Sequence, residues 1–314
     1  MKHLDLFSGY GGFTIACEEL GIETIGFSEV DKYANAVLKY HYPNIKNYGD
    51  IRTIDLQAID NFDLLTAGFP CQAFSIAGNR KGFEDTRGTL IYDVFRVLEA
   101  KRPRVCVLEN VKGLLSHDNG RTFKTIITSL AELGYSVEWQ VLNAKNFGVP
   151  QNRERVFIIG YFGGLPRRKV FPIQGIDESA NLKYVGAIMS EQNQKWLEDG
   201  KQLSRNFPQG QRVYRSDGIA STIASQAGGL GAKTGLYQVC PTIRATQHKS
   251  GDNQTVVADG MKIRRLTPTE CERLMGLPDG WTKGVSDTQR YKLCGNGVVV
   301  NVVKEIMKSL LNKS

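Results

Sequence analysis

The sequence predicts an α/β fold: a parallel sheet covered by helices, joined to a smaller, irregular, β-rich module. Three observations predict it. Over the first 160 residues, short apolar runs alternate with amphipathic stretches, the pattern of successive strands and crossover helices. After about residue 178 the texture changes to Gly, Ser, Thr, Gln and Arg with short β-like pieces and turns such as AGGLG at 227–231. From residue 265 helical patterning returns.

The strands of the first part are expected at residues 2–7, 23–28, 63–67, 105–108 and 156–160, and the helices at 13–20, 90–100 and 123–133. Thr267-Pro268-Thr269 starts a helix over 270–275, since proline is tolerated in a first turn and threonine caps it. Residues 298–311 form a further amphipathic helix. The expected organisation is a sheet domain over 1–178, the irregular module over 179–266, a hinge region over 267–292 and a C-terminal helix returning to the first domain over 293–314. No fixed-period repeat is present.

The chain of 314 residues is long enough for one large domain or two. Its six cysteines include no CxxC pair and no neighbouring histidine couple, so neither a zinc site nor a dithiol motif is indicated, and no metal is expected. No apolar run approaches the roughly 18 residues of a membrane span, and nothing resembles a signal peptide. The expectation is a cytoplasmic protein with reduced thiols and no membrane partner. Net charge is +8, and residues 179–266 hold 12 Lys and Arg against 6 Asp and Glu. That asymmetry favours a polyanion partner for the module.

The chemistry-bearing segments follow predicted strands, at the carboxyl ends where ligands of such sheets sit. Cys71 stands in GFPCQAFSIA (68–77), directly after an apolar run and behind a proline that cannot continue a ladder, so the loop presents a thiol. DLFSGYGGF (5–13) places Gly9, Gly11 and Gly12 between a strand and a helix, which suits a tight turn or a dinucleotide site. Glu29, about 20 residues on, is positioned to accept from ribose hydroxyls. Asp50 in Gly49-Asp50-Ile51 suits an adenine amino group or an ordinary turn. Glu109-Asn110-Val111 brings a carboxyl group to a strand end beside the Cys71 loop: a nucleophile with a proton donor. In QNRER (151–155), Arg153 and Arg155 share one side of an extended stretch, or form a solvated charge run.

In this order, DLFSGYGGF, Glu29, Gly49-Asp50-Ile51, Pro70-Cys71-Gln72, Glu109-Asn110-Val111, QNRER, RRLTPTECERLMGLPDGW (264–281) and GNGVVVNVV (295–303), the segments resemble the cytosine-5 DNA methyltransferase family, most closely its type II restriction-modification branch. The resemblance implies a Rossmann-like S-adenosylmethionine-dependent methyltransferase sheet with a target-recognition domain at 179–266. It assigns Cys71 to attack on cytosine carbon 6 and Glu109 to ring nitrogen 3, a role that burial would assist. Arg153 and Arg155 supply positive charge near the thiol. Phe7, Gly9, Gly11, Glu29, Val30, Asp50, Ile51, Pro70, Leu90, Asn296 and Val298 are assigned to the cofactor. Val30 replaces a tryptophan of that branch, which implies weaker stacking on adenine.

Ser75, Arg87, Gln209, Arg212 and Thr222 are assigned to DNA, with Gln209 filling the space left by a flipped base and Arg212 meeting guanine edges. The implied product is S-adenosylhomocysteine and the implied substrate double-stranded DNA, methylated by a monomer. Its setting would be a restriction-modification system, paired in function with an endonuclease, or an orphan or phage methylase. Residues 238–260 look like an addition relative to the branch. A tRNA cytosine methyltransferase and a silent DNA-binding regulator share parts of the pattern. An NAD-dependent oxidoreductase accounts for the glycine turn and Glu29 alone.

Overall fold

The computed structural model describes residues 1–70, 90–164, 170–175 and 266–312, together with the backbone of six short strands between 184 and 264. In chain order the elements are β1 (Lys2–Leu6), α1 (Gly12–Glu18), β2 (Glu23–Ser28), α2 (Lys32–His41), β3 (Lys46–Asn47), β4 (Leu64–Gly68), α3 (Leu90–Lys101), β5 (Val105–Val111), α4 (Arg121–Glu132), β6 (Tyr135–Asn143), β7 (Gln151–Asn152) and β8 (Glu154–Phe162). There follow β9 (Tyr184–Ala187), β10 (Arg212–Tyr214), β11 (Ala220–Ser221), β12 (Leu236–Val239), β13 (Val257–Ala258), β14 (Met261–Arg264), α5 (Pro268–Leu274), α6 (Asp287–Asn296) and α7 (Val300–Leu311).

The chain divides into two compact units: residues 1–143, 154–175 and 297–314 form one, and residues 144–153 and 176–296 the other. The first is built on a seven-stranded sheet of order β3-β2-β1-β4-β5-β8-β6. From β3 to β5 every pairing is parallel, as the alternating pattern predicts. The expectation of a wholly parallel sheet is corrected at β8, which runs antiparallel to both β5 and β6. Between β6 and β8 lie only the 3-10 turn Ala144–Phe147 and the two-residue β7, with no α-helix to form the crossover that a parallel pairing needs. The second unit carries a five-stranded sheet of order β13-β14-β12-β10-β9 and the short parallel pair β11-β7.

Besides the two-residue strands β3 and β7, three longer elements are absent from the sequence reading. β6 reads as YSVEWQVLN, and its Glu138 would ordinarily argue against a covered position. Here the Glu138 carboxylate accepts from Tyr161 Oη at 2.6 Å, Val170 N at 2.8 Å and Phe171 N at 3.1 Å, while Gln140 exchanges two bonds with the backbone of Ile173. Those bonds satisfy the buried polar groups and strap residues 170–173 over the edge strand. α2 buries only Ala34, Val37 and Leu38, too thin an apolar stripe to stand out, and starts on Asp31, whose carboxylate accepts from Tyr33 N and Ala34 N. α6 ends on Gly295 and Asn296, so those residues close a helix. α5 starts where the sequence places it, with a full capping box between Thr267 and Glu270.

The core of the first unit carries a polar chain across β2, β1 and β4. His3, Asp5 and Thr66 are fully buried. Thr66 Oγ1 donates to Asp5 Oδ1 at 2.8 Å and Thr14 Oγ1 to Asp5 Oδ2 at 2.9 Å. The Thr66 proton is committed to Asp5, so the 2.7 Å contact with His3 Nε2 requires that nitrogen to donate. Nδ1 then accepts from Thr24 Oγ1 at 2.8 Å. Burial pushes the Asp5 carboxyl up to about 7 and the His3 imidazole down to about 3.

α7 returns the chain to α1. Tyr10, buried in the loop before α1, donates its hydroxyl to the carbonyl of Val298, and the missing side chain of Gly297 makes room for its ring. A Cβ on Gly297 would lie 2.1 Å from Tyr10 Cε1 and 2.4 Å from its Cζ. Gly297→Ala is therefore expected to cost about 1–3 kcal/mol through overpacking, read as a lower urea midpoint.

His3 gives the fold an acid limit. A depressed imidazole leaves stability intact above the unfolded value of 6.5 and withdraws it as pH falls from there toward 3. The raised Asp5 carboxyl acts in the opposite sense, weakening the fold as pH climbs from 3.8 toward 7. Between pH 6.5 and 5.0 the wild type should lose about 2 kcal/mol more than His3→Gln, at about 1.4 kcal/mol per pH unit. Asp5 is present in both proteins and cancels. Guanidinium titrations at the two pH values give the comparison.

Candidate active site

Strand order reverses at β1: β2 and β3 lie to one side, β4 and β5 to the other, and their carboxyl ends share one edge. Such a switch point opens a crevice for a ligand. The loop leaving β1 is tightly wound. Phe7 has φ 55°, Gly9 56° and Gly11 86°, all left-handed, and Phe7 N and Ser8 N both donate to Ser28 O, at 2.8 and 3.4 Å. A phenylalanine held in this region is a strained position fixed by its surroundings.

Glu29 sits just past β2 and is already oriented. Its Oε2 accepts from Gly9 N at 2.8 Å, and its Oε1 from Val30 N at 2.8 Å and Asp31 N at 2.7 Å. A carboxylate offers about four lone-pair directions, so it retains capacity for a further donor. Val30 is 67% exposed. Asp50 takes the turn geometry: it caps the 3-10 turn Ile51–Thr53 through Arg52 N at 3.0 Å and holds the Arg52 guanidinium. Those hydrogen bonds lower its carboxyl below the usual range. Ile51 is buried beneath it, Leu90 opens α3 half-buried, and Pro70 is exposed beyond Phe69. Val298 belongs to the first unit, whereas Asn296, exposed at the end of α6, belongs to the second.

The surroundings of Glu109 are built by strand register. Gly68 of β4 pairs with Glu109 of β5, so the chain that continues through Phe69 and Pro70 toward Cys71 leaves the sheet opposite that carboxylate. Glu109 lies inside β5 and not at its end, a correction to the sequence reading, and is 8% exposed. On its other flank Glu109 pairs with Phe157 of β8, and Arg155 pairs with Val111. Arg155 is therefore the diagonal neighbour of Glu109 on the same face, within reach of a long side chain. Its Nε lies 3.0 Å from Glu109 Oε1. Asn110, which the sequence reading did not single out although its motif was quoted, donates from Nδ2 to Phe69 O at 2.9 Å and accepts from Val111 N at 2.8 Å. That buried bond ties the end of β5 to the residue before Pro70.

QNRER is not a solvated charge run, and its arginines do not work as one pair. Arg155 serves Glu109, whereas the buried Arg153 belongs to the second unit and donates to Gly295 O of α6 at 3.1 Å. Gln151, fully buried, donates to Leu274 O, the last residue of α5, at 2.7 Å. Both satisfy carbonyls that helix ends leave without intrahelical donors. Cys71, Ser75, Arg87, Gln209 and Thr222 lie outside the described residues, as does the side chain of Arg212, whose backbone begins β10. The four described cysteines, Cys17, Cys106, Cys271 and Cys294, are buried, and burial raises every one of their thiols, Cys106 and Cys271 to about 12. None of those four suits a thiolate nucleophile.

The C-5 cytosine-specific DNA methylase family model matches residues 1–312. The chain is 36% identical to the type II methyltransferase M.HhaI of Haemophilus parahaemolyticus, over 98% of this chain and 93% of the relative. It is 40% identical to the type II methyltransferase M.HpaII of Haemophilus parainfluenzae, over 99% and 89%. In fold it is similar to the S. pombe Dnmt2 methyltransferase, with a TM-score of 0.70 at 20% identity, covering 99% of this chain and 98% of that one.

The Glu109–Arg155 pair is open to a direct test. Arg155→Met leaves a nearly buried carboxylate without its counter-charge and should cost about 3 kcal/mol in urea unfolding. Adding Glu109→Gln should recover a large part of that loss. With Glu109→Gln measured alone to complete the cycle, a double-variant loss equal to the sum of the two single losses would show no coupling between them.

Proposed function

The chain belongs to the C-5 cytosine-specific DNA methylase family, and from that premise we propose that it methylates carbon 5 of a flipped-out cytosine in a short duplex DNA site, using S-adenosylmethionine and a transient covalent bond from Cys71. The observation that carries this reading is the β4–β5–β8 register. It sets Glu109, its partner Arg155 and the exit of the Pro70-Cys71 loop at one end of the sheet.

The chain's own residues divide the work. The Cys71 thiolate adds to cytosine carbon 6, the electron pair moving toward ring nitrogen 3, where Glu109 delivers or shares a proton. Carbon 5 thereby becomes electron-rich and accepts the methyl group. Loss of the carbon-5 proton, expulsion of the thiolate and return of the nitrogen-3 proton restore the aromatic ring and the enzyme. With the described cysteines raised by burial, Cys71 is the thiol whose place in the chain suits this role.

S-adenosylmethionine supplies an electrophilic methyl group when bound. The residues present fit it: Glu29 keeps acceptor capacity for a ribose hydroxyl, the left-handed Gly9 and Gly11 open the loop beside it, and Ile51 and Val298 offer apolar walls. Phe7, Val30, Asp50, Pro70, Leu90 and Asn296 complete the proposed set. Asp50 would have to share its carboxylate with Arg52 to meet an adenine amino group.

Recognition falls to the basic segment 179–266, where Gln209 is proposed to fill the vacated stack, Arg212 to read guanine and Thr222 to hold a phosphate, while Ser75 and Arg87, from the segment that follows Cys71, are proposed to contact the DNA as well. Among the described residues no helix is long and apolar enough to cross a membrane.

Bisulfite sequencing of plasmid DNA from a methylation-deficient host expressing the protein tests the whole reading. Cytosines protected at one short motif, and unprotected with Cys71→Ser, are the expected result. Methylation by purified Cys71→Ser would overturn the covalent mechanism. Absence of protection with the wild type, followed by protection of tRNA cytosine, would overturn the DNA assignment.

A further inference from the structure

We propose that Asn47 is a positioning residue for the cofactor: its side-chain amide locks the Glu29 and Gly49-Asp50 loops into one preformed corner that receives the ribose and adenine. The inference rests on the S-adenosylmethionine reading above. β3 is only two residues long, and Asn47 is its last residue, paired in register with Phe27 of β2. The last main-chain bond between the two strands runs from Tyr48 N to Phe27 O at 2.8 Å, and past it the side chain of Asn47 carries the pairing on to Glu29. Oδ1 accepts from Glu29 N at 3.1 Å and from Gly49 N at 3.0 Å. Nδ2 donates to Glu29 O at 3.0 Å and to Asn35 Oδ1 at 2.6 Å.

The amide thus holds both backbone polar groups of Glu29, as a neighbouring strand would. Its orientation follows from chemistry, because two backbone N–H groups require the oxygen on their side. Asn35, from α2, reinforces the clasp by donating Nδ2 to Glu29 O at 3.2 Å. Ser28 Oγ adds a bond to Gly49 O at 2.8 Å.

What the clasp fixes is the base of the Glu29 side chain, whose carboxylate in turn holds Gly9, Val30 and Asp31. One asparagine therefore governs the loop after β1 indirectly, the loop after β2 directly, and the approach to Asp50 through Gly49. Val30 is exposed where the sequence led us to expect reduced stacking. A corner ordered before binding lowers the entropic penalty of assembling these loops around a ligand. Neither asparagine touches the reacting atoms; both act through Glu29 and Gly49.

The test is calorimetric binding of S-adenosylhomocysteine and of adenosine, which carries only the ribose and base. Asn47→Ala should weaken both by about tenfold, the loss of roughly one to two net hydrogen bonds, and by the same factor for each. In turnover assays the change should appear in the cofactor KM more than in kcat. A general loss of stability would lower the melting temperature without this selective change in affinity. Asn35→Ala, at a helix surface where alanine is favoured, removes part of the clasp and should weaken both ligands by about two- to threefold. It stands in should Asn47→Ala fail to fold. Wild-type binding with unchanged affinity in the folded variants overturns the role of Asn47. Failure of the wild type to bind either ligand overturns the cofactor reading beneath it.

Discussion

The end of the sheet that carries Glu109 depends on how β5 is flanked. On one side β4 runs parallel and sets Gly68 opposite Glu109; on the other β8 runs antiparallel and sets Arg155 one diagonal step from the same carboxylate. Parallel pairing alone brings Gly68, the end of β4, to Glu109. Antiparallel pairing brings a guanidinium from a strand that enters from the opposite direction. A one-residue slip in either ladder would turn Glu109, or its partner, to the other face of the sheet. The buried bond from Asn110 to Phe69 O then anchors the chain where it leaves that register.

A second constraint is the commitment of polar groups within apolar surroundings. Asp5, His3, Thr66, Thr14 and Thr24 satisfy one another across three strands and α1, so β1 can be buried from His3 to Leu6 and still hold charge-capable groups. Glu138 and Gln140 hold the strap over the sheet edge by the same logic. In the second unit Glu272, fully buried, accepts from Gly280 N at 2.7 Å, Thr282 N at 2.9 Å and Arg290 at 3.0 Å, fixing α5 against α6. Each cluster is costly to leave half-made, which makes each a determinant of a single arrangement.

The QNRER segment shows how one short motif serves two structures. Its first three residues fall in the second unit, where Gln151 and Arg153 close the ends of α5 and α6; its last two begin β8 and belong to the first. A charge pattern with a period of two, taken alone, suggests one function for both arginines. The division is invisible in the sequence because the partners lie more than 120 residues away for Gln151 and 142 for Arg153.

The sequence by itself determined the α/β class, five strands of the first part, the start of α5, the acidic residue of β5, the glycines after β1 and Glu29 after β2. These were legible because local rules set them, namely apolar periodicity, capping and the conformational needs of glycine and proline. The tertiary structure alone decided the antiparallel course of β8, the burial of Glu138 in β6, the pairing of Arg155 with Glu109 and the capture of Glu29 by Asn47. Each depends on which segments become neighbours in space, and a polar residue reveals its purpose only when the partner that satisfies it is known.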